Sequence, residues 1–421
     1  MKWRSGDSVR IIAFIDQGVV SAGNFVAGVL MARIFGAYQL GWFALAWIIV
    51  EFMASLQFAA ILQPMLNIGA KEEKEVRTRY YSATAVQQAV VCAVSALLIW
   101  SAVRLAAPLL EPGVERLAIP LSLTAITFQA HNFFRRYLFV RDKATLALGN
   151  DALRVGLQLT ALLMLPYLWS AYDSVTGIWI IMVACGVSSI RGAFVFGRFE
   201  WRAATFSDVL RRHWAFSKWL LPSAVMFWMT SQAFVLMSGA ELGAAATGAL
   251  KAAISIAGVT SLLLQALDSF APMQAARALH EGGPRQLIRY MIRLSCLTAT
   301  LLFAMLAVLM VDTEALVRLL YGSGYEGLGY VVRWLCPIIV AYSLSVLLGI
   351  WAAAIECTRM IFVSYAIATA FTVVAAYPMT RYLGMEGVLL GSLVVEVVKV
   401  VALLVPLARW MRTTCADTVA S

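Results

Sequence analysis

The chain has 421 residues, 62% of them hydrophobic and only 13% charged, against roughly half and a quarter in soluble globular domains. A single core cannot hide that excess, which excludes an ordinary soluble protein and makes a bilayer the solvent. The net charge of +10 is carried by basic residues between apolar runs, so it reports topology rather than nucleic-acid binding.

The N-terminus is basic (Lys2, Arg4, Arg10) and leads into a run holding Asp16, Gln17 and Asn24 that continues past Met31. No small-residue cleavage site follows, so it reads as a retained first helix rather than a signal peptide. Runs able to cross about 30 Å of hydrocarbon are predicted at 11–33, 42–67, 82–105, 117–140, 149–170, 177–197, 217–238, 248–272, 291–311, 329–354, 361–379 and 387–408. Pro166 and Asp173 crowd the junction of the fifth and sixth. The link at 198–216 reads as an amphipathic segment in the membrane surface, with Val209, Leu210, Trp214 and Phe216 against Arg211, Arg212 and His213. Gly282-Gly283-Pro284 marks a turn between two helical stretches. No loop is long enough for a soluble domain.

Basic residues test the count. With the N-terminus inside, the inner links hold Lys71, Lys74, Arg77 and Arg79; Arg135, Arg136, Arg141 and Lys143; Arg198, Arg202, Arg211, Arg212 and Lys218; Arg277, Arg285 and Arg289; Arg359; and Arg409 and Arg412. The outer links, near Glu111, Ser170, Ala244, Gly324 and Gly384, hold only Arg33, Arg104, Arg116, Arg318 and Arg381. This bias predicts an all-α polytopic protein of about twelve transmembrane helices, both termini cytoplasmic.

An internal repeat supports two halves, 1–210 and 211–421. Gly36-Ala37 to Gly41 after the first helix and Gly243-Ala244 to Gly248 after the seventh both read G-A-x-x-x-G. Pro64 and Pro272 fall at matching places in the second and eighth helices. Six helices per half make the repeat parallel. Six cysteines lie almost entirely inside apolar runs with no CxxC pair, so no disulfide framework is read. His131, His213 and His280 are too scattered for a metal site. No HExxH, P-loop or nucleophile elbow occurs. No cofactor, metal or catalytic residue is therefore expected.

The stretch Asp16-Gln17-Gly18 to Ala46, with Ala32-Arg33-Ile34-Phe35-Gly36 and Gly41-Trp42-Phe43-Ala44-Leu45-Ala46, resembles the first helical hairpin of O-antigen and polysaccharide flippases. Leu320-Tyr321-Gly322-Ser323-Gly324-Tyr325 looks like that family's segment before helix ten, and Leu383-Gly384-Met385-Glu386-Gly387-Val388 like its entry into helix twelve. The resemblance implies two six-helix lobes around a central cavity that opens to alternate sides. It also implies a bacterial inner-membrane location and a cargo of oligosaccharide on a polyprenyl diphosphate, such as an O-antigen or exopolysaccharide repeat unit. A drug or cation exporter of the same fold is the alternative, and a membrane glycan polymerase or ligase is a more distant one.

A diphosphate crossing hydrocarbon needs a cationic path, and membrane-embedded ionisable residues face a cavity or a partner. The candidate bases are Arg191, Arg333, Arg154, Lys251, Arg33 and Lys399. Arg33, Lys251 and Arg333 lie near the outer interface and Arg154 and Arg191 near the inner one, where snorkelling is the competing reading. Lys399 follows Glu396 by three residues, so mutual neutralisation competes there. The membrane acids are Asp16, Glu51, Asp268, Glu356 and Glu396. Asp16, on the helix whose movement gates the cavity in this superfamily, and Glu51 are the candidates for proton coupling; sodium is the other coupling ion considered. A salt bridge to one of the arginines is the competing role for either carboxylate. Gln129, His131, Asn132, Arg135 and Arg136 end helix four and read either as the lining of an inner mouth or as an ordinary descent into the cytoplasm.

Overall fold

The computed structural model describes residues 5–109 and 112–420, except for the side chains of 5–10, 70, 74, 75, 262, 266, 268–270 and 412–420. Lys2, Arg4, Glu111 and the side chains of Arg10, Lys74, Asp268, Arg412 and Cys415 therefore lie outside the described residues. Among those residues the only regular structure is helical. Hydrocarbon offers backbone groups no partners, and a helix satisfies its own.

The elements in order are α1 (Ser5–Gln57), a π turn (Phe58–Leu62), α2 (Gln63–Ile68), α3 (Lys74–Ala106), α4 (Ala118–Val140), α5 (Ala144–Leu168), α6 (Ser174–Phe196) and α7 (Ala203–Ser217). They continue as α8 (Leu220–Leu242), α9 (Ala244–Ala257), α10 (Ser261–Met310), α11 (Thr313–Tyr321), α12 (Gly329–Ala354) and α13 (Thr358–Ala420). Three long helices fold back on themselves. α1 turns at Gly36 (φ 73), α10 at Gly282 and Gly283 (φ 64 at Gly283), and α13 at Gly384 (φ 61). A left-handed residue breaks the helix there, and glycine alone takes it without a Cβ penalty. With these turns the described residues make twelve crossing helices, as the basic-residue pattern predicts.

Seven segments are long and apolar enough to cross a membrane. Only 22% of the most apolar stretch of Val76–Leu109 is buried within the chain at a mean hydropathy of 2.1, so its outer face requires lipid. Two crossing helices, α4 and α5, are absent from the seven. They carry the polar residues described below.

The chain divides into two compact units, Met1–Val225 and Met226–Ser421. In the first, α4 packs against α3 and α6, and the first arm of α1 against α5. The division falls inside α8 rather than at 210. α7 stays with the first unit because Val209 is buried in its core, His213 meets Tyr80, and Ser217 donates to the Ala59 carbonyl at 2.8 Å. This corrects the amphipathic reading of the segment. Its inward stripe is Val209, His213 and Ser217, whereas Leu210, Trp214 and Phe216 are exposed. Asp173, which crowds a junction in the sequence, is the N-cap of α6, where its carboxylate and Thr176 form a capping box.

In the second unit α12 packs against α13, α10 and α9. The fourth crossing helix of each unit ends on the same corner. Asp142 (φ 55) and Glu356 (φ 59) are left-handed. Lys143 N–H reaches back to the Leu138 carbonyl as Cys357 N–H does to Ala352, and Asp142 N–H to Phe139 as Glu356 N–H does to Ala353. Both corners are Schellman caps without glycine. The G-A-x-x-x-G glycines match as well, with φ 73 at Gly36 and φ 88 at Gly243.

Candidate functional site

The polar positions of α4 and α5 recur at helical spacing, so each helix presents one polar stripe. On α4 these are His131 and Arg135; on α5 they are Asn150, Asp151, Arg154 and Gln158. α1 adds Asp16 and Asn24, and α6 adds Ser188 and Arg191. The stripes meet inside the first unit. Arg135 joins two carboxylates, Asp16 through Nη2 at 2.5 Å and Asp151 through Nε. Asp16 and Asp151 are both fully buried. The other oxygen of Asp151 lies 2.9 Å from His131 Nε2. Asp151 Oδ1 is buried with no hydrogen-bond partner, so the imidazole meets it by proximity alone. Ser188 Oγ stands between His131 Nδ1 (2.8 Å) and the Cys185 carbonyl (3.0 Å), to which it donates. The second oxygen of Asp16 is buried without a partner.

Two further arginines are held differently. Arg154, buried, donates to Gln158 Oε1 (3.1 Å) and Asn24 Oδ1 (3.2 Å). Arg191, half-buried, donates to Asn150 Oδ1 at 2.6 Å. A Cβ at Gly149 would come within 3.1 Å of both Arg191 Nη atoms, so that glycine clears the guanidinium's place against α5. Among the described residues neither arginine forms an ion pair, and both rest on neutral amides.

The remaining candidates are dispersed. Glu51 is half-buried and accepts from Trp47 Nε1 at 2.9 Å. Arg33 is exposed. In the second unit Lys399 is buried and paired with Glu396 at 2.7 Å, as its spacing suggested. Glu396 also accepts from Ser345, and the ammonium lies over the rings of Tyr342 and Tyr365 beside a cavity of about 330 Å³. Lys251 is half-buried on α9. Arg333 is exposed at the start of α12, where it donates to Thr313 at 3.3 Å. Glu356 is an exposed corner residue.

Asp151 is the functional candidate the sequence reading passed over, and His131 was read there only as lining of an inner mouth or as part of a descent into the cytoplasm. Their signal was local: Asp151 lies three residues before Arg154, and His131 four before Arg135. Taken as an ordinary descent into the cytoplasm, the end of α4 misleads, because Gln129 and His131 are buried. Among the described residues no group of three or more His, Cys, Asp or Glu side chains is placed to hold a metal.

The fold is shared with solved transporters of the multidrug/oligosaccharidyl-lipid/polysaccharide exporter (MOP) superfamily. An inward-facing multidrug resistance MATE family transporter is 16% identical, with 96% of each chain covered and a TM-score of 0.76. A MOP transporter from Pyrococcus furiosus, described as having a binding pocket of reverse polarity, is 14% identical, covering 95% of this chain and 94% of that one, with a TM-score of 0.67. A Vibrio cholerae MATE transporter is 16% identical over 97% and 98%, with a TM-score of 0.65. No curated protein matches the chain. Residues 30–328 match the family described as polysaccharide biosynthesis protein, well over half of the chain. The chain is thus a multi-pass membrane protein of the polysaccharide biosynthesis protein family, with the fold of MOP superfamily transporters.

Proposed function

We propose that the chain is a flippase that moves a polyprenyl-diphosphate-linked oligosaccharide, an O-antigen or exopolysaccharide repeat unit, across the bacterial inner membrane by alternating access. Both termini face the cytoplasm in this reading. The observation that carries it is the state of Arg154 and Arg191: guanidinium groups of a membrane unit, held by Asn24, Gln158 and Asn150 and paired with no carboxylate among the described residues. Neutral amides fix their geometry without cancelling their charge. A dehydrated diphosphate regains charge-assisted hydrogen bonds from such groups. Arg33 in the same unit, and Lys251 and Arg333 in the second, are the further bases of this reading. Lys399 contributes when Glu396 releases it.

Asp16 is the carboxylate best placed for coupling to protons. Its free oxygen is buried, and its other oxygen shares Arg135 with Asp151. A proton on Asp16 leaves Arg135 balanced by Asp151 alone and loosens α1 from α4. Glu51, tied to Trp47, is the second candidate.

A multidrug exporter is the competing reading, because structures of this fold include multidrug transporters. Its cavity would need acids to attract cations, and the acids here are already engaged. A strain deleted for the chain separates the two. A flippase leaves lipid-linked oligosaccharide on the cytoplasmic face and depletes surface glycan. Unchanged surface glycan with raised drug sensitivity would overturn the proposal.

A further inference from the structure

We infer that the two arms of α10 form a second anion site, a clamp for the phosphates of a lipid headgroup, with the diphosphate of the lipid-linked cargo as its ligand. The choice of cargo rests on the flippase reading; the clamp itself does not.

α10 turns back at Gly282 and Gly283, bringing residues four apart on one arm opposite residues four apart on the other. Arg277 and Glu281 line the first arm, and Arg289 and Arg293 the second, with Tyr290 between them. They enclose a cavity of about 540 Å³, within the range of about 300–1,000 Å³ common to small-ligand sites. In an ordinary helical hairpin such i, i+4 positions on facing arms make an apolar seam. Here the apolar seam lies elsewhere on both arms: Ala275, Leu287 and Met291 are fully buried against Leu347 and Ile350 of α12. The hairpin is therefore fixed by one face and leaves the basic face open.

Two observations point to an anion. Among the described residues, Arg277, Arg289 and Arg293 form no ion pair, whereas Arg135, Arg212, Arg381 and Lys399 each have a carboxylate. With Glu281 the lined surface keeps a net charge of +2. In addition, the Tyr290 hydroxyl is buried with no hydrogen-bond partner. A hydroxyl and three guanidinium forks in one cavity offer the donors that adjoining phosphates accept. The basic-residue pattern assigns this turn to the cytoplasmic side, at the depth where a lipid's phosphates lie. The clamp would take the headgroup there.

The test uses the full chain in nanodiscs, with farnesyl diphosphate as one probe and dioleoylphosphatidylglycerol as the other. The variant R277Q/R289Q/R293Q keeps polarity and removes charge; R277K/R289K/R293K restores charge without the fork. The clamp predicts that the glutamine variant binds farnesyl diphosphate about tenfold more weakly or worse, with a shallower salt dependence, and that lysine restores part of it. If phosphatidylglycerol binding is unchanged, the ligand is the cargo's diphosphate; if both fall, the clamp accepts phosphate headgroups in general. If only phosphatidylglycerol binding falls, the clamp reads the bilayer and the cargo assignment is overturned. A measurement on the unaltered protein guards against misfolding: pyrophosphate should protect Arg277, Arg289 and Arg293 from phenylglyoxal. No protection, or glutamine variants that bind both probes normally, would overturn the clamp. Neither result touches the deletion-strain test, which judges the flippase reading alone.

Discussion

The two units share a backbone plan and differ in what they bury. Each opens with a hairpin turned on a left-handed glycine, Gly36 or Gly243, and each ends its fourth crossing helix on the same non-glycine corner, Asp142 or Glu356. In the first unit the space between α1, α4, α5 and α6 holds a connected set of charges: Asp16, Arg135, Asp151 and His131, flanked by Arg154 and Arg191. The buried charges described in the second unit are the pair Lys399 and Glu396, next to each other on one helix. The difference teaches that this fold does not require a charged interior. One copy of the plan closes over largely apolar contacts, so the network in the other copy is not a requirement of the fold.

The largest effect expected of this asymmetry is at Arg135. Replacing it with Gln leaves two carboxylates buried beside a histidine, and breaking a buried pair from one side costs about 3–5 kcal/mol. Folded yield and thermal stability in detergent should drop steeply. Unchanged stability would mean the carboxylates are already protonated.

Next comes acidification of the α7 contact. Burial, reinforced by Arg212, holds the His213 ring down to about 4. Its Nε2 meets the Tyr80 hydroxyl at 2.8 Å. The folded ring takes a proton less readily than the unfolded one, whose pKa is about 6.5. Stability therefore rises with pH across that window and is lost as pH falls through it, by about 1.4 kcal/mol per unit. Hydrogen-exchange protection factors of 203–217, corrected for the intrinsic pH dependence of exchange, should fall between pH 7 and pH 5, and His213→Gln should remove the dependence. Equal protection factors in the unaltered chain at the two pH values would contradict a buried neutral ring.

Third, the matched turns should cost the same. Gly36→Leu and Gly243→Leu each force a side chain into the left-handed region, at roughly 1–2 kcal/mol. Similar losses of melting temperature support the repeat; a large loss at only one of them would break it. The smallest effect is expected in the second unit. Exchanging Lys399 and Glu396 together for Met and Leu replaces a buried pair by apolar volume, which is close to neutral for folding. A collapse of folded yield would show that the pair, like the network, holds its unit together.

Much of this was legible in the sequence. Twelve crossing helices follow from run length and basic bias, and α12 falls on 329–354 as read. The turn glycines were visible because a left-handed residue leaves a compositional mark. The corners at Asp142 and Glu356 left little, since Glu does not advertise that conformation and Asp does so far less than glycine. The network was half legible. Asp16 and Arg154 stood out as charges inside apolar runs. Asp151, His131 and Arg135 lay near a helix end, where charge is unremarkable, and only packing of α4 against α5 and α6 shows them to be interior. The clamp of α10 was hidden for a similar reason: Arg277 and Arg289 counted as topology signals, Arg293 lay inside a predicted span, and only the fold-back of the helix turns them into one surface.

The most direct test of the account is glycan export by the Arg154→Gln, Arg191→Gln double variant, compared at equal protein level in a strain lacking the native copy. Their amide partners are neutral, so removing these charges should leave insertion and folded yield intact. The account predicts that export of surface glycan falls sharply, by about tenfold or more, and that lysine at both positions restores part of it. Full export by the glutamine variant would contradict it, and would assign these arginines to packing alone.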